Sequence, residues 1–134
     1  MSTAHHFPVT VYYEDTDMAG IVYYANYLRY IERARSQIVR ELGFDQNAMR
    51  KADLVFAVRR IEADYLGSAR LGDELTVRTT HDQPTPVRWR FEQEIFQQDN
   101  RLFKATVTAI CMTTAGRLTR FTKAMAVSNV GLGK

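Results

Sequence analysis

One long helix lying on an antiparallel sheet, an α+β layer, is the architecture that three features of this 134-residue chain predict. Helical periodicity runs over about 24–42, strand periodicity of two recurs through the second half, and the later runs are joined by short connections.

Residues 9–13 alternate loosely and are β-rich, which gives a first strand. In the helix that follows, Tyr27, Ile31, Ala34, Ile38 and Leu42 form an apolar spine, widened by Leu28, Tyr30 and Val39. Arg29, Arg33, Ser36 and Arg40 make a polar stripe, and Gly43 supplies a C-cap. Nineteen residues make a helix of about 28 Å, which needs a broad apolar surface to lie on. The runs 55–66, 74–81, 87–97, 102–113 and 118–127 read as the strands of that surface. In the third of these Val87, Trp89, Phe91 and Ile95 point one way, and Arg88, Arg90, Glu92 and Glu94 the other. Turn residues separate the runs: Gly67-Ser68 through Gly72-Asp73, Pro84-Thr85-Pro86, Asp99-Asn100 and Ala115-Gly116. Short connections pair consecutive strands as hairpins. The sheet has two edges and its outer faces are not fully polar, which favours a dimer or higher oligomer.

The length fits one domain, 1–134, able to bury a core without disulfides. No apolar run is long enough to span a bilayer. The start, Met1-Ser2-Thr3-Ala4-His5-His6-Phe7-Pro8, lacks the basic-then-apolar order of a signal peptide, so a cytoplasmic location is expected. The single cysteine, Cys111, sits in an apolar strand pattern and reads as an inert core thiol. A net charge of +3 is spread over dispersed basic residues, which argues against nucleic acid and suits a polyanionic small ligand. No metal-ligand cluster stands out and no cofactor is expected. His5 and His6 fall in an N-terminus read as loose, and His81 at a strand end.

The segment Tyr12-Tyr13-Glu14-Asp15-Thr16-Asp17-Met18-Ala19-Gly20-Ile21-Val22-Tyr23-Tyr24-Ala25-Asn26-Tyr27 carries the chemistry. Two acids one residue apart precede a glycine turn and then the helix. That order can set a carboxylate beside the free N–H groups of a helix N-terminus, the pairing that acyl transfer requires. Spacing alone leaves capping as an equal reading for Asp15 and Asp17.

This segment resembles the hotdog-fold acyl-CoA thioesterases, in the branch with 4-hydroxybenzoyl-CoA thioesterase and the Tol–Pal-associated (YbgC-like) enzymes. The resemblance continues through Glu32-Arg33-Ala34-Arg35, Phe56-Ala57-Val58-Arg59 and Tyr65-Leu66-Gly67-Ser68-Ala69-Arg70-Leu71-Gly72-Asp73-Glu74-Leu75. It implies a five- or six-stranded antiparallel sheet wrapped around one long central helix. It also implies a homodimer or homotetramer with the active site where subunits meet, acyl-CoA as substrate, and acyl carrier protein as a further partner. Carried over, Asp17 matches the catalytic aspartate, Gly20 the glycine that turns the chain into the helix, and the Tyr24 backbone N–H the donor to the thioester carbonyl. Many Tol–Pal relatives have a histidine where this chain has Tyr24.

A thioester suits so small a site, because its thiolate leaving group, with a pKa of about 8–9, departs without a strong general acid. Asp17 serves as nucleophile or general base. Glu14 and Asp15 read as scaffold or supporting groups. Val22, Tyr23, Asn26 and Tyr27 are candidates for substrate contact, although packing for the tyrosines and a local hydrogen bond for Asn26 are the plainer readings. Arg88 and Arg90, with Arg59 and Arg60 behind them, are candidates for the phosphates of coenzyme A, or else form a solvated face paired with Glu92 and Glu94. The alternative to hydrolysis is a non-catalytic acyl-CoA or acyl-carrier-protein binding protein. A dehydratase is disfavoured because the segment lacks a histidine, and a nucleic-acid binder ranks last.

Overall fold

The computed structural model describes residues 3–132, with side chains through Asn129. The ends of the expected 1–134 domain, Met1-Ser2 and Gly133-Lys134, lie outside the described residues. In chain order the elements are β1 (His5–Thr10), a 3₁₀ turn (Tyr13–Asp15), α1 (Tyr24–Glu41), α2 (Gln46–Lys51), β2 (Leu54–Tyr65), β3 (Glu74–Thr85), β4 (Arg88–Gln97), β5 (Asn100–Thr113), β6 (Leu118–Thr119) and α3 (Phe121–Leu132).

The sheet is antiparallel in the order β1-β3-β4-β5-β2, with β6 added to β5 at Cys111 and Met112. β1 and β2 therefore form its two long edges. Leu75, Val77 and Thr79 of β3, Trp89, Phe91 and Ile95 of β4, and Phe103, Ala105 and Val107 of β5 face inward and are buried. Against them lies α1, burying Tyr27, Tyr30, Ile31, Ala34, Ile38 and Val39. The apolar spine read from periodicity thus meets the inward face of the alternating strands. Leu42 departs from it. The helix ends at Glu41, and Leu42, whose N–H bonds back to Ile38 and Arg40, is 48% exposed. Gly43 follows at φ +103°, the left-handed value expected just past a helix end.

Further sequence expectations need correction, among them His81, which lies within β3 and not at a strand end because the strand runs on to Thr85. The first strand is His5–Thr10 and not 9–13, because the Asp15 carboxylate accepts the Tyr12 N–H at 2.9 Å and turns the chain into the 3₁₀ segment. His5 and His6 consequently sit in a paired strand, opposite Thr79 and Arg78. The run 118–127 is strand only at Leu118–Thr119. Beyond it Phe121, Ala124 and Ser128 recur at helical spacing, and all three are buried. Finally α2 was not anticipated. Asp45 caps it by accepting the N–H groups of Asn47 and Ala48, and Ser128 of α3 accepts the Asp45 N–H at 2.8 Å.

The two ends of the core differ. Near the C-terminal end of α1, Trp89 packs with Phe44, Phe56, Phe91 and Phe121. Near the N-terminal end, Tyr27 stacks on Phe103 at 5.4 Å, and Tyr65 meets both edge-on.

Trp89 also carries a pH-dependent contact. Its Nε1 donates to His81 Nδ1 at 3.1 Å, which requires that nitrogen to be unprotonated. Burial and the nearby His5 lower the His81 pKa from its ordinary value, with Asp82 opposing them. The folded pKa lies below the unfolded one, so the contact contributes fully above about pH 6.5 and is lost as pH falls through the lower folded value. Melting temperature should therefore drop as pH is lowered from about 6.5, and the drop should be shallower in His81→Gln, whose side-chain oxygen can accept from Trp89 at any pH. Thermal denaturation across a pH series measures both slopes, and identical slopes would disprove the coupling.

Candidate active site at the start of the long helix

Between β1 and α1 the chain makes a small hairpin. Thr16 and Val22 pair across it, the Asp17 N–H donates to Ile21 O at 2.9 Å, and the Gly20 N–H donates to Asp17 O at 3.0 Å. Gly20 sits at φ +80°, as a three-residue hairpin loop with a left-handed last position requires. Asp17 Oδ1 accepts the Ala19 N–H at 2.9 Å, so one carboxylate oxygen is tied to its own turn while the side chain stays exposed. This bond is internal to the turn and does not cap α1.

The residue before the helix is Tyr23, extended at φ −62° and ψ 132°, and no side chain caps the helix there. Around it the polar groups are satisfied in an orderly way. The Tyr23 N–H and the Asn26 Nδ2 both donate to the backbone oxygen of Asp15 at 2.9 Å, and the Asn26 N–H returns to Tyr23 O at 2.8 Å. The N–H groups of Tyr24 and Ala25 have no protein acceptor among the described residues. They are the positive end of an 18-residue helix, left open.

The β2–β3 connection holds this first turn in place. Ala69 O accepts the Val22 N–H at 2.8 Å, Ala69 N–H donates to the Tyr27 hydroxyl at 2.9 Å, and Ile21 pairs with Arg70. From β2, the Tyr65 hydroxyl donates to Tyr24 O at 3.1 Å. Burial raises the pKa of Tyr27 and of Tyr65, so both serve as neutral hydrogen-bonding groups and not as bases. Beneath them the Tyr30 hydroxyl is sealed beside the Asp15 carboxylate. Burial and that charge push its ionisation well up, yet it makes no hydrogen bond of regular geometry.

The residues singled out in the sequence therefore fall into three groups. Asp17, Gly20, Tyr23 and Tyr24 are all exposed, the first two on the hairpin and the last two at the start of the helix that it leads into. Val22, Asn26 and Tyr27 lie directly behind them, buried, and Asp15 is buried with them. Arg88 and Arg90 lie elsewhere. They flank Trp89, which packs against Phe44 just past the far end of α1 and against Phe121 at the start of α3, and one chain does not bring them to Asp17. Arg90 is paired with Asp82 at 3.1 Å and Glu92 at 3.9 Å, whereas Arg59 is exposed at the β-bulge in β2. Cys111 is buried and its thiol pKa is raised by burial, which keeps it an inert core group.

Sequence reasoning missed Tyr65 and Ala69, which touch the helix start only through tertiary contact. It also missed the pair Arg35 and Gln93. Their signal was present: each is a polar residue at a position that its own periodicity turns inward.

Residues 11–129 match the thioesterase-like superfamily along almost the whole chain. The chain belongs to that superfamily. Among curated relatives, acyl-CoA thioesterase YbgC of Haemophilus influenzae is 41% identical over 107 residues, covering 79% of each chain. The acyl-CoA thioester hydrolase YbgC of an Escherichia coli strain is 37% identical over 112 residues, covering 83% of this chain and 84% of the relative. Of the solved structures, a probable thioesterase from Bartonella henselae superposes with a TM-score of 0.82 at 31% identity, covering 88% of this chain and 98% of that one. A 1,4-dihydroxy-2-naphthoyl-CoA thioesterase from Synechocystis superposes with a TM-score of 0.84 over 98% of this chain and 99% of its own, at 20% identity, a likeness of fold. The expected hotdog architecture is the one observed, and family membership makes the protein a thioester hydrolase.

Within that family the turn at Gly20 acquires a definite cost. A Cβ there would meet nothing within 4 Å, so substitution is opposed by backbone conformation alone. Gly20→Ala should destabilise the protein by about 1–2 kcal/mol, the cost of forcing an L-residue into the left-handed region. Calorimetry measures the loss, and a variant as stable as the wild type would contradict the reading of this turn.

Proposed function

We propose that the protein hydrolyses acyl-CoA thioesters to a free acid and coenzyme A at the open start of α1. The observation that carries this reading is the uncapped first turn, with the Tyr24 N–H unpartnered and the Asp17 carboxylate presented on the adjoining hairpin. The thioester carbonyl oxygen accepts from the Tyr24 N–H, and the positive helix end stabilises the charge that develops on it. One such donor is typically worth about 3–4 kcal/mol. Asp17 then attacks the carbonyl carbon, expelling the coenzyme A thiolate and forming a mixed anhydride that water opens, or it takes the proton from an attacking water. The similarity to acyl-CoA thioesterases of the YbgC type supports the substrate class.

A second copy of the chain completes the site in this reading. Asp17 and the arginines of β4 stand at opposite ends of one protomer, and β2 offers a free sheet edge with exposed Val58, Ile61 and Tyr65. Pairing of this edge with itself is the simplest closure. It would let Arg88 and Arg59 approach the phosphates of a substrate held at another copy's helix. The reading therefore predicts a dimer or tetramer by light scattering, and a monomer with full activity would remove this part of it.

Two substitutions at one position separate the backbone from the side chain. Tyr24→Pro removes the N–H while suiting a first helical position, and the extended Tyr23 tolerates a following proline. Tyr24→Ala keeps the N–H. The proline variant should lose about 10²–10³-fold in kcat, and the alanine variant should remain within severalfold of wild type. Asp17→Asn should lose at least about a hundredfold. Wild-type turnover of any acyl-CoA by Asp17→Asn would sink the mechanism.

A further inference from the structure

A cleft of about 170 Å³ opens under the second half of α1, between the helix and strands β2 and β4, and reaches the free edge of the sheet at Ala57 and Val58. Its walls include Val39, Phe56, Trp89 and Phe91, with Arg35 and Glu32 among the polar residues lining it. Arg35 lies eleven residues beyond Tyr24, about 16 Å along the helix axis, so within one chain this is not the helix-start site.

Arg35 is only 8% exposed. Its Nη1 donates to Gln93 Oε1 at 2.9 Å, and Gln93 is fixed in that orientation because its Nε2 donates to Ile31 O and to Thr79 Oγ1, both at 3.0 Å. Arg35 takes part in none of the ion pairs among the described residues. Glu32, one turn earlier, is exposed and accepts a hydrogen bond from Ser36 Oγ at 3.1 Å. Burial pushes the Arg35 pKa below its usual value, with Glu32 partly offsetting it, yet a guanidinium remains charged at neutral pH. A buried cation answered by one neutral acceptor is costly, and a guanidinium carries five N–H donors in a fork matched to a carboxylate. None of its nitrogens is both sealed from solvent and unpartnered, so the donors not used by Gln93 keep some access to solvent, and Arg35 is one of the residues that line the cleft.

We propose that this cleft binds a carboxylate on an apolar body, with Arg35 as the anchor and Phe56, Trp89 and Phe91 as walls. The carboxylate has two possible sources: the far end of a substrate's acyl group, or the acid that hydrolysis releases. Assigning a source rests on the thioesterase reading, whereas the binding itself does not.

Trp89 is the chain's single tryptophan and lines the cleft, so its fluorescence reports occupancy directly. Titrated into the full chain, octanoate should shift Trp89 emission at about tenfold lower concentration than octanol. Arg35→Met should abolish the difference while keeping the octanol response, and Arg35→Lys, which retains charge without the fork, should keep part of it. Should the methionine variant fail to fold, the wild-type ratio and the lysine variant decide the matter. Equal responses to octanoate and octanol, no response to either, or a preference unchanged in the variants would overturn the proposal. Kinetics then distinguish the sources. Faster turnover of the ω-carboxy analogue than of octanoyl-CoA, lost in Arg35→Met, assigns the substrate's own carboxylate. Equal turnover with inhibition by octanoate assigns the released acid. If no thioester is hydrolysed, the proposed function fails and the fluorescence result still stands or falls separately.

Discussion

The first turn of α1 must be held rigidly without being capped, and most of the surrounding structure serves that constraint. Free N–H groups at a helix start are ordinarily covered by a side chain of the preceding residue. Here the preceding residue is a tyrosine that offers none, and the restraint comes from elsewhere. The Asp15 backbone oxygen takes two donors, Ala69 fixes Val22 and Tyr27, and Tyr65 takes the Tyr24 carbonyl. Each of these bonds fixes the turn from the side or from behind. The N–H groups of Tyr24 and Ala25 stay open to the front.

The sheet makes this restraint possible. Inward-facing Phe103 gives Tyr27 a stacking surface, and the same strand pairing positions the end of β2 so that Tyr65 meets the helix. At the other end of α1 the Trp89 cluster and the Arg35–Gln93 bond keep the helix on the sheet. A long helix anchored at both ends cannot slide along its axis, and so its N-terminus keeps a fixed relation to the hairpin that carries Asp17. The chemical economy of the proposed mechanism rests on that relation, since a thioester needs an oxyanion donor and one carboxylate but little acid catalysis.

Much of this was legible in the sequence, for identifiable reasons. The helix was readable because its apolar residues keep one period for five turns, and β4 because its alternation is nearly unbroken. The turn at Gly20 was readable because a left-handed position leaves a glycine as its mark, although the hairpin that the turn closes was not. Segment 118–127 misled because a short apolar run fits a strand or a helix equally, and only the burial of Phe121, Ala124 and Ser128 decides between them. The roles of Tyr65 and Ala69 depend on contacts about forty residues apart in sequence, for which no local pattern exists. The separation of Asp17 from Arg88 and Arg90 could not be read either, because it depends on which end of α1 the Trp89 segment packs against, a tertiary contact.

The most direct measurement is a crystal structure with a non-hydrolysable ketone analogue of an acyl-CoA, in which a methylene replaces the thioester sulfur. The proposed mechanism requires the ketone oxygen within hydrogen-bonding distance of the Tyr24 N–H, and the Asp17 carboxylate poised beside the carbonyl carbon or a water next to it. A ketone seated away from the start of α1, with Tyr24 N–H still open and Asp17 facing solvent, would contradict it.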